Sequence, residues 1–237
     1  MHKSGQMNNL LAEYDLRKAG AGFVRVFNTY RVELQRRQCA FHFRRRCQPI
    51  GHPPSVAVPQ PNRCTFARLL NGILLTNRYS FDGGEFVQFN LPQGHHVVEW
   101  DVPRGVSIVF SMPHLLGFEE SVSLSTTVNL AISNLALDKA FFHIATGPGI
   151  VAFECHGNPD IAMAADDIPS FSSSRLVAWT KGSQFYLVGS KKVRDIYLSY
   201  LYLAAKNTSG VVLDADMGKN HETSSLWHML RSFYWRW

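Results

Sequence analysis

The 237-residue chain has no uninterrupted apolar run near the ~18 residues that a bilayer-crossing helix needs. Its opening segment, MHKSGQMNNLLAEYDLRKAG, lacks the apolar centre of a secretory signal. Cysteine is scarce: there are four, at no framework spacing, which favours a reducing or organellar interior over a disulfide-stapled secreted fold. The sequon at Asn207-Thr208-Ser209 then carries no meaning. Locally encoded catalytic motifs are also missing. The acidic pairs Glu119-Glu120 and Asp166-Asp167 are adjacent, so on a strand or turn their carboxylates point apart. His95-His96 has no carboxylate or thiol partner nearby in sequence. Ser172-Ser173-Ser174 has no nucleophile-elbow context, and Asp82-Gly83-Gly84 lacks the lysine and helix start of a phosphate loop. Cys155 and His156 are neighbours and would face opposite sides of a strand. The expectation is a protein that is not an enzyme and needs no cofactor.

What is present is β pattern. Hydrophobic residues make up 46% of the chain, enough for a sizeable core. Period-two segments at 72–77, 85–91, 96–102, 107–111, 121–131, 140–145, 150–155, 176–180 and 184–189 read as strands. Turn residues punctuate them at Asp82-Gly83-Gly84, Pro92-Gln93-Gly94 and Pro103-Arg104-Gly105. The stretch 193–205 is ambiguous, with apolar positions that fit a helix slightly better than a strand. Short strands with little helical pattern predict an all-β fold, an antiparallel sandwich or barrel.

A faint internal repeat runs through it. His114-Leu-Leu-Gly-Phe118 and the residues to Leu124 align with Arg175-Leu-Val-Ala-Trp179 and the residues to Leu187. Thr146-Gly-Pro-Gly-Ile-Val151 is echoed by Thr208-Ser-Gly-Val-Val212. Repetition at this scale suggests a duplicated β-unit about a pseudo-twofold axis; chance likeness among β-rich segments is the alternative.

Residues 141–187 carry the densest pattern: Gly147-Pro148-Gly149 leads into an alternating strand, Gly157-Asn158-Pro159 makes a second turn, and Leu176-Val177-Ala178-Trp179 follows. With His114-Leu-Leu-Gly-Phe118, this block resembles the altered-inheritance-of-mitochondria (Aim-type) family over roughly residues 66–215. The resemblance implies a tryptophan-attenuator-protein-like β-sandwich of duplicated units, mitochondrial association, and no catalytic residues to carry over. The chain departs from the family pattern in its short 190–215 segment and its basic N-terminus.

Charge divides the chain unevenly. Residues 1–68 hold twelve Lys/Arg against three Asp/Glu, a balance of +9, whereas 69–237 hold twelve against fifteen, a balance of −3. Aromatic and aliphatic residues interleave with the arginines between Arg17 and Arg46. Such a pattern suits RNA, with arginines on phosphates and aromatics on bases. It also suits a mitochondrial targeting segment, an anionic membrane surface, or a solvated extension without a specific partner. The candidate phosphate-contacting residues are Arg31, Arg36, Arg37, Arg44, Arg45 and Arg46. Cys39, His42, Cys47 and His52 fall at C-x2-H-x4-C-x4-H, a chemically competent zinc set with a chance-coincidence alternative. At the other end, LWHMLRSFYWRW concentrates Trp227, Phe233, Tyr234, Trp235 and Trp237, a density typical of an anchor in a partner's pocket. Contact with a membrane interface and folding back onto the β-body are the other readings of that tail.

The organisation expected is a basic arm (1–48), a Pro-rich linker (49–65), a β-sandwich (66–215) and a short aromatic C-terminal helix or tail (216–237). The function expected is a structural subunit of a mitochondrial assembly, first the mitochondrial ribosome, in the matrix or on the matrix face of the inner membrane. Its arm would touch rRNA, and its body and tail would touch proteins. An inner-membrane organising factor is the alternative, and a small-ligand binder or enzyme on the sandwich is a third.

Overall fold

The computed structural model describes residues 11–15, 21–27, 31–33, 40–44, 56–59, 75–80, 86–88, 91, 94–128, 141–163, 168–172, 175–188, 202–206 and 209–215. Within these the protein is an all-β antiparallel sandwich, and every strand pairing is antiparallel. The strands, in order, are β1 (Leu11–Asp15), β2 (Phe23–Phe27), β3 (Arg31–Glu33), β4 (Phe41–Arg44), β5 (Val56–Pro59), β6 (Leu75–Tyr79) and β7 (Phe86–Gln88). They continue with β8 (His95–Val102), β9 (Ser107–Phe110), β10 (Leu115–Glu119), β11 (Ser123–Val128), β12 (Phe141–Thr146) and β13 (Gly149–His156). The last are β14 (Asp160–Met163), β15 (Ile168–Ser172), β16 (Leu176–Thr180), β17 (Gln184–Val188), β18 (Tyr202–Lys206) and β19 (Gly210–Leu213). A 3-10 turn, Met112–His114, links β9 to β10. Among the described residues no helix is long and apolar enough to cross a membrane.

A large sheet runs β1-β2-β8-β13-β10-β4-β6-β5, and a second sheet runs β11-β12-β9-β16-β19-β14. Smaller sheets β15-β18-β17 and β3-β7 complete the described pairings. The two main sheets share one core, with Val98, Trp100, Phe153 and Cys155 from one meeting Ile108, Phe110, Val177 and Val212 from the other. The outer face of the second sheet is buried too, where Trp179, Leu176 and Val211 pack with Phe171 and Phe185 of the β15-β18-β17 sheet. Burial on both faces explains why the first four residues of β16, Leu176 to Trp179, are all apolar rather than alternating.

The repeat is real at the level of topology. Taken in chain order, β4, β5, β6, β8, β10 and β13 occupy the large sheet as β5-β6-β4-β10-β13-β8. In the same order β9, β11, β12, β14, β16 and β19 occupy the second sheet as β11-β12-β9-β16-β19-β14, an identical arrangement. Matching strands begin between 61 residues (115 and 176) and 67 residues (56 and 123) apart. Both copies shift register at the same step, between Leu115 and Gly117 in one and between Leu176 and Ala178 in the other. The sequence echo of 146–151 in 208–212 is one residue out. Val151 lies opposite Phe118, and its counterpart opposite Trp179 is Val211, not Val212. A one-residue slip sends each side chain to the other face, and here pairing and face part company: Val151 and Val212 both line the core between the main sheets, whereas Val211 lies on the outer face of the second sheet.

The expected boundary between arm and body falls differently in the structure. Strands β1, β2 and β4 of the basic segment belong to the large sheet, and β2 pairs with β8 along its whole length. Trp100 ties them further, its indole N–H donating to the Ala21 carbonyl at 2.9 Å. The proline-rich stretch contributes β5 at the sheet's edge, where a missing amide donor is tolerated. The stretch 193–205, read as slightly more helical, supplies strand β18; residues 193–201 lie outside the described residues. The expected C-terminal helix or tail, 216–237, also lies outside them.

Candidate functional site

Five polar side chains meet at one end of the sandwich, and the strand pairing shows why. Strand β8 begins at His95-His96 after Gly94, which sits at φ 83, and β13 ends Glu154-Cys155-His156. The two strands pair so that His95 faces His156, and the Gly157 N–H donates to the Gly94 carbonyl at 2.7 Å to close the end. Alternation sends Cys155 into the core and leaves Glu154 and His156 on the other face. Burial first, then the nearby Asp214 and Glu154 carboxylates, push the Cys155 thiol well above its ordinary pKa, which disfavours the thiolate.

On the open face, His95 Nδ1 and Glu154 Oε1 are 2.7 Å apart. The 3-10 turn after β9 is pinned by the Ser111 N–H donating to the Val177 carbonyl at 2.8 Å, and it delivers His114. His114 Nδ1 then lies 2.9 Å from the Glu154 carbonyl oxygen. From the second sheet, β19 runs into Asp214. The Asp214 N–H donates to the Arg175 carbonyl at 2.7 Å, and Arg175 Nε returns a bond to the Asp214 carbonyl at 2.5 Å. The Asp214 carboxylate, 5% exposed, accepts the His156 backbone N–H at 3.1 Å through Oδ2, which also lies 3.1 Å from His156 Nδ1. His114 Nδ1 is 3.8 Å from the same oxygen. One ligand atom each from His114, His156 and Asp214 therefore fall within 4.8 Å of one another. The His95 ring stands edge-on to His156 with centroids 4.3 Å apart.

This cluster has no sequence signature, since its members lie at 95, 114, 154, 156 and 214. His95-His96 alone reads as a pair without a carboxylate; the fold supplies one, Glu154, from the neighbouring strand.

The sequence-based candidates fare unevenly. Arg44 is used inside the protein: Nη1 donates to the Met112 carbonyl at 2.9 Å and to the Pro113 carbonyl at 3.1 Å, holding the 3-10 turn against β4. One of the six candidate phosphate-contacting arginines thus makes two bonds within the fold. Replacing Arg44 by Ala is expected to lower stability by about 1–3 kcal/mol in urea denaturation, the range for charge-assisted hydrogen bonds to backbone. Arg31 lies in β3, opposite Gln88. Arg36, Arg37, Arg45, Arg46, Trp227, Phe233, Tyr234, Trp235 and Trp237 lie outside the described residues. Of the suggested zinc set, Cys39, Cys47 and His52 also lie outside them. His42 is a core residue, with Nδ1 3.0 Å from Thr76 Oγ1 and its ring stacked on Phe118 at 5.3 Å. Burial lowers its pKa, opposed by Glu120 and reinforced by Arg78.

The pair Glu119-Glu120 is divided between core and surface. Glu120 does meet Arg78 at the surface at 3.0 Å, but Glu119 is buried and accepts the Ile150 N–H at 2.8 Å. Gly149, at φ 144, makes that approach possible, because a Cβ there would lie 2.9 Å from Glu119 Oε2 and 2.5 Å from Ser121 Oγ.

No protein-family model matches the chain, and no curated protein does. Among solved structures, the crystal structure of protein SPYM3_0169 from Streptococcus pyogenes is similar, with a TM-score of 0.52 and 9% identity. The match covers 82% of this chain and 89% of that one, and at this identity it shows a shared fold and nothing about activity.

Proposed function

We propose that this protein is a non-catalytic structural subunit that seats its basic N-terminal third on RNA within a larger assembly. The observation that carries the reading is the charge division, +9 over residues 1–68 and −3 over the remainder. The sheet adds a physical basis: β1, β2 and β4 root the basic segment in the body, so its contacts are made close to a rigid surface. With Arg44 engaged internally, Arg36 and Arg37, which precede β4, and Arg45 and Arg46, which follow it, are the residues assigned to phosphate. The acid-poor, arginine-rich segment and the Aim-type resemblance of 141–187 support a mitochondrial setting, with the mitochondrial ribosome as the first assembly to test. The aromatic residues Trp227 to Trp237 are assigned to protein contacts there.

Binding of a structured RNA should weaken steeply with salt, by about 0.7–0.9 in log K per log salt for each phosphate neutralised. Changing Arg36, Arg37, Arg45 and Arg46 together to Ala should lower that slope by roughly 3, read by fluorescence anisotropy across a salt series. An unchanged slope would rule out these arginines as the RNA contact. Ribonuclease-resistant binding to anionic vesicles would favour the inner-membrane organising role instead.

A further inference from the structure

We propose that His114, His156 and Asp214 bind a divalent transition-metal ion of the zinc class and thereby clip the two main sheets together. The inference does not rest on the RNA reading. Two imidazoles and one carboxylate are a standard ligand set for such an ion, leaving a fourth position for water or an incoming group. Zinc bonds of about 2.0–2.2 Å place neighbouring tetrahedral ligands about 3.3–3.5 Å apart. His156 Nδ1 and Asp214 Oδ2 already stand at 3.1 Å, and the whole set fits within 4.8 Å, so closure on an ion needs side-chain movements of about an ångström.

The surroundings resemble the outer shell of a metal site. The Glu154 carbonyl accepts from His114 Nδ1 at 2.9 Å, and this is the same nitrogen that stands 3.8 Å from Asp214 Oδ2, so an ion would take His114 either through Nε2 with that bond kept or through Nδ1 in its place. Asp214 is fixed by reciprocal backbone and side-chain bonds with Arg175. The His95–Glu154 pair lies alongside, supplying a further imidazole and a second carboxyl group. His156 is 47% exposed at the side chain, which gives an ion a way in, whereas Asp214 is buried. Because His114 follows β9, His156 ends β13 and Asp214 follows β19, the ion would join residues that the chain brings from both sheets.

The test uses the full chain, stripped with a chelator and titrated with Co2+ and then Zn2+. The expected result is one tightly held Co2+ with a tetrahedral visible spectrum, displaced by Zn2+, together with a higher Tm. His156→Gln and Asp214→Asn should each weaken binding at least about tenfold, whereas His96→Gln should leave it unchanged. His156→Cys, which restores a zinc ligand, should recover affinity that His156→Gln loses. Should Asp214→Asn fail to fold, the His156 variants decide alone. No stoichiometric binding, equal affinity in His156→Gln, or a Cys variant as weak as the Gln variant would each overturn the site.

Discussion

Raising the pH from about 5 to about 8 is expected to remove up to several kcal/mol of stability that protonated Glu99 contributes, and Glu99→Gln is expected to abolish that loss. Glu99 lies in the middle of β8, flanked by Arg25 on β2 and Ala152 on β13, and is only 3% exposed. Among the described residues its Oε1 has no hydrogen-bond partner. Burial drives its pKa from 4.5 up to about 8; Arg25 opposes the rise, while Glu119 and Asp101 add to it. The folded state thus keeps a proton that the unfolded state has released between these two values. This contribution to stability is fully present below 4.5 and is lost as pH rises through about 8. At 1.4 kcal/mol per pH unit the interval corresponds to roughly 5 kcal/mol, a ceiling for this one group. Urea denaturation over a pH series reads it directly. The wild type should fall in stability across the window, and the Gln variant, neutral throughout, should be flatter and the more stable protein above pH 8. Parallel profiles for the two proteins would refute the assignment.

Glu99 also illustrates which parts of this fold the sequence made legible. Strands β8, β9 and β16 are readable to within a residue because turn residues such as Gly105, at φ 82, bound them and their apolar content is high. Strands β2 and β4 were obscured by their arginines. Phe41, His42 and Phe43 are all buried, Arg44 bonds within the fold, and Arg25 lies opposite Glu99, so the charge that suggested a separate arm is partly internal. The repeat was legible at 114–118 and 175–179 because bulges at matching steps impose the same local pattern. The threading was not. The chain passes from β8 in one sheet to β9 in the other, back to β10, and later returns for β13, so the two copies interleave. The histidine–carboxylate cluster is a product of that threading. His114 arises at one crossing, His156 at the end of β13 and Asp214 after the last strand, and no local spacing could have announced them.

The two interleaved copies solve the same packing problem with different residues, and this yields the second large effect. Gly117→Ala is expected to destabilise the protein by about 1–3 kcal/mol, the range for overpacking. A Cβ at Gly117 would lie 2.6 Å from Phe41 Cε1 and 2.7 Å from both the His42 carbonyl oxygen and Phe43 Cδ1. Without that crowding, the same change in a strand would gain about 0.5–1 kcal/mol from reduced chain entropy, so the sign of the effect reports the clash. The second copy shows how a methyl can be accommodated. Gly117 pairs with Phe43 on β4, and its counterpart Ala178 pairs with Phe110 on β9. By the same register Ile108 stands where the first copy has Phe41, so the smaller side chain accompanies the larger strand residue. Phe41→Ile alone should open a cavity beside Gly117 and destabilise the protein, while the double variant Phe41→Ile, Gly117→Ala should lose less than the two singles combined. The His42 carbonyl contact persists in the double variant, so recovery should be partial. A double-mutant cycle in urea tests this, with a coupling of at least about 0.5 kcal/mol expected for side chains in direct contact. Strict additivity would show that the His42 carbonyl or the Phe43 ring, and not the Phe41 ring, sets the limit at Gly117.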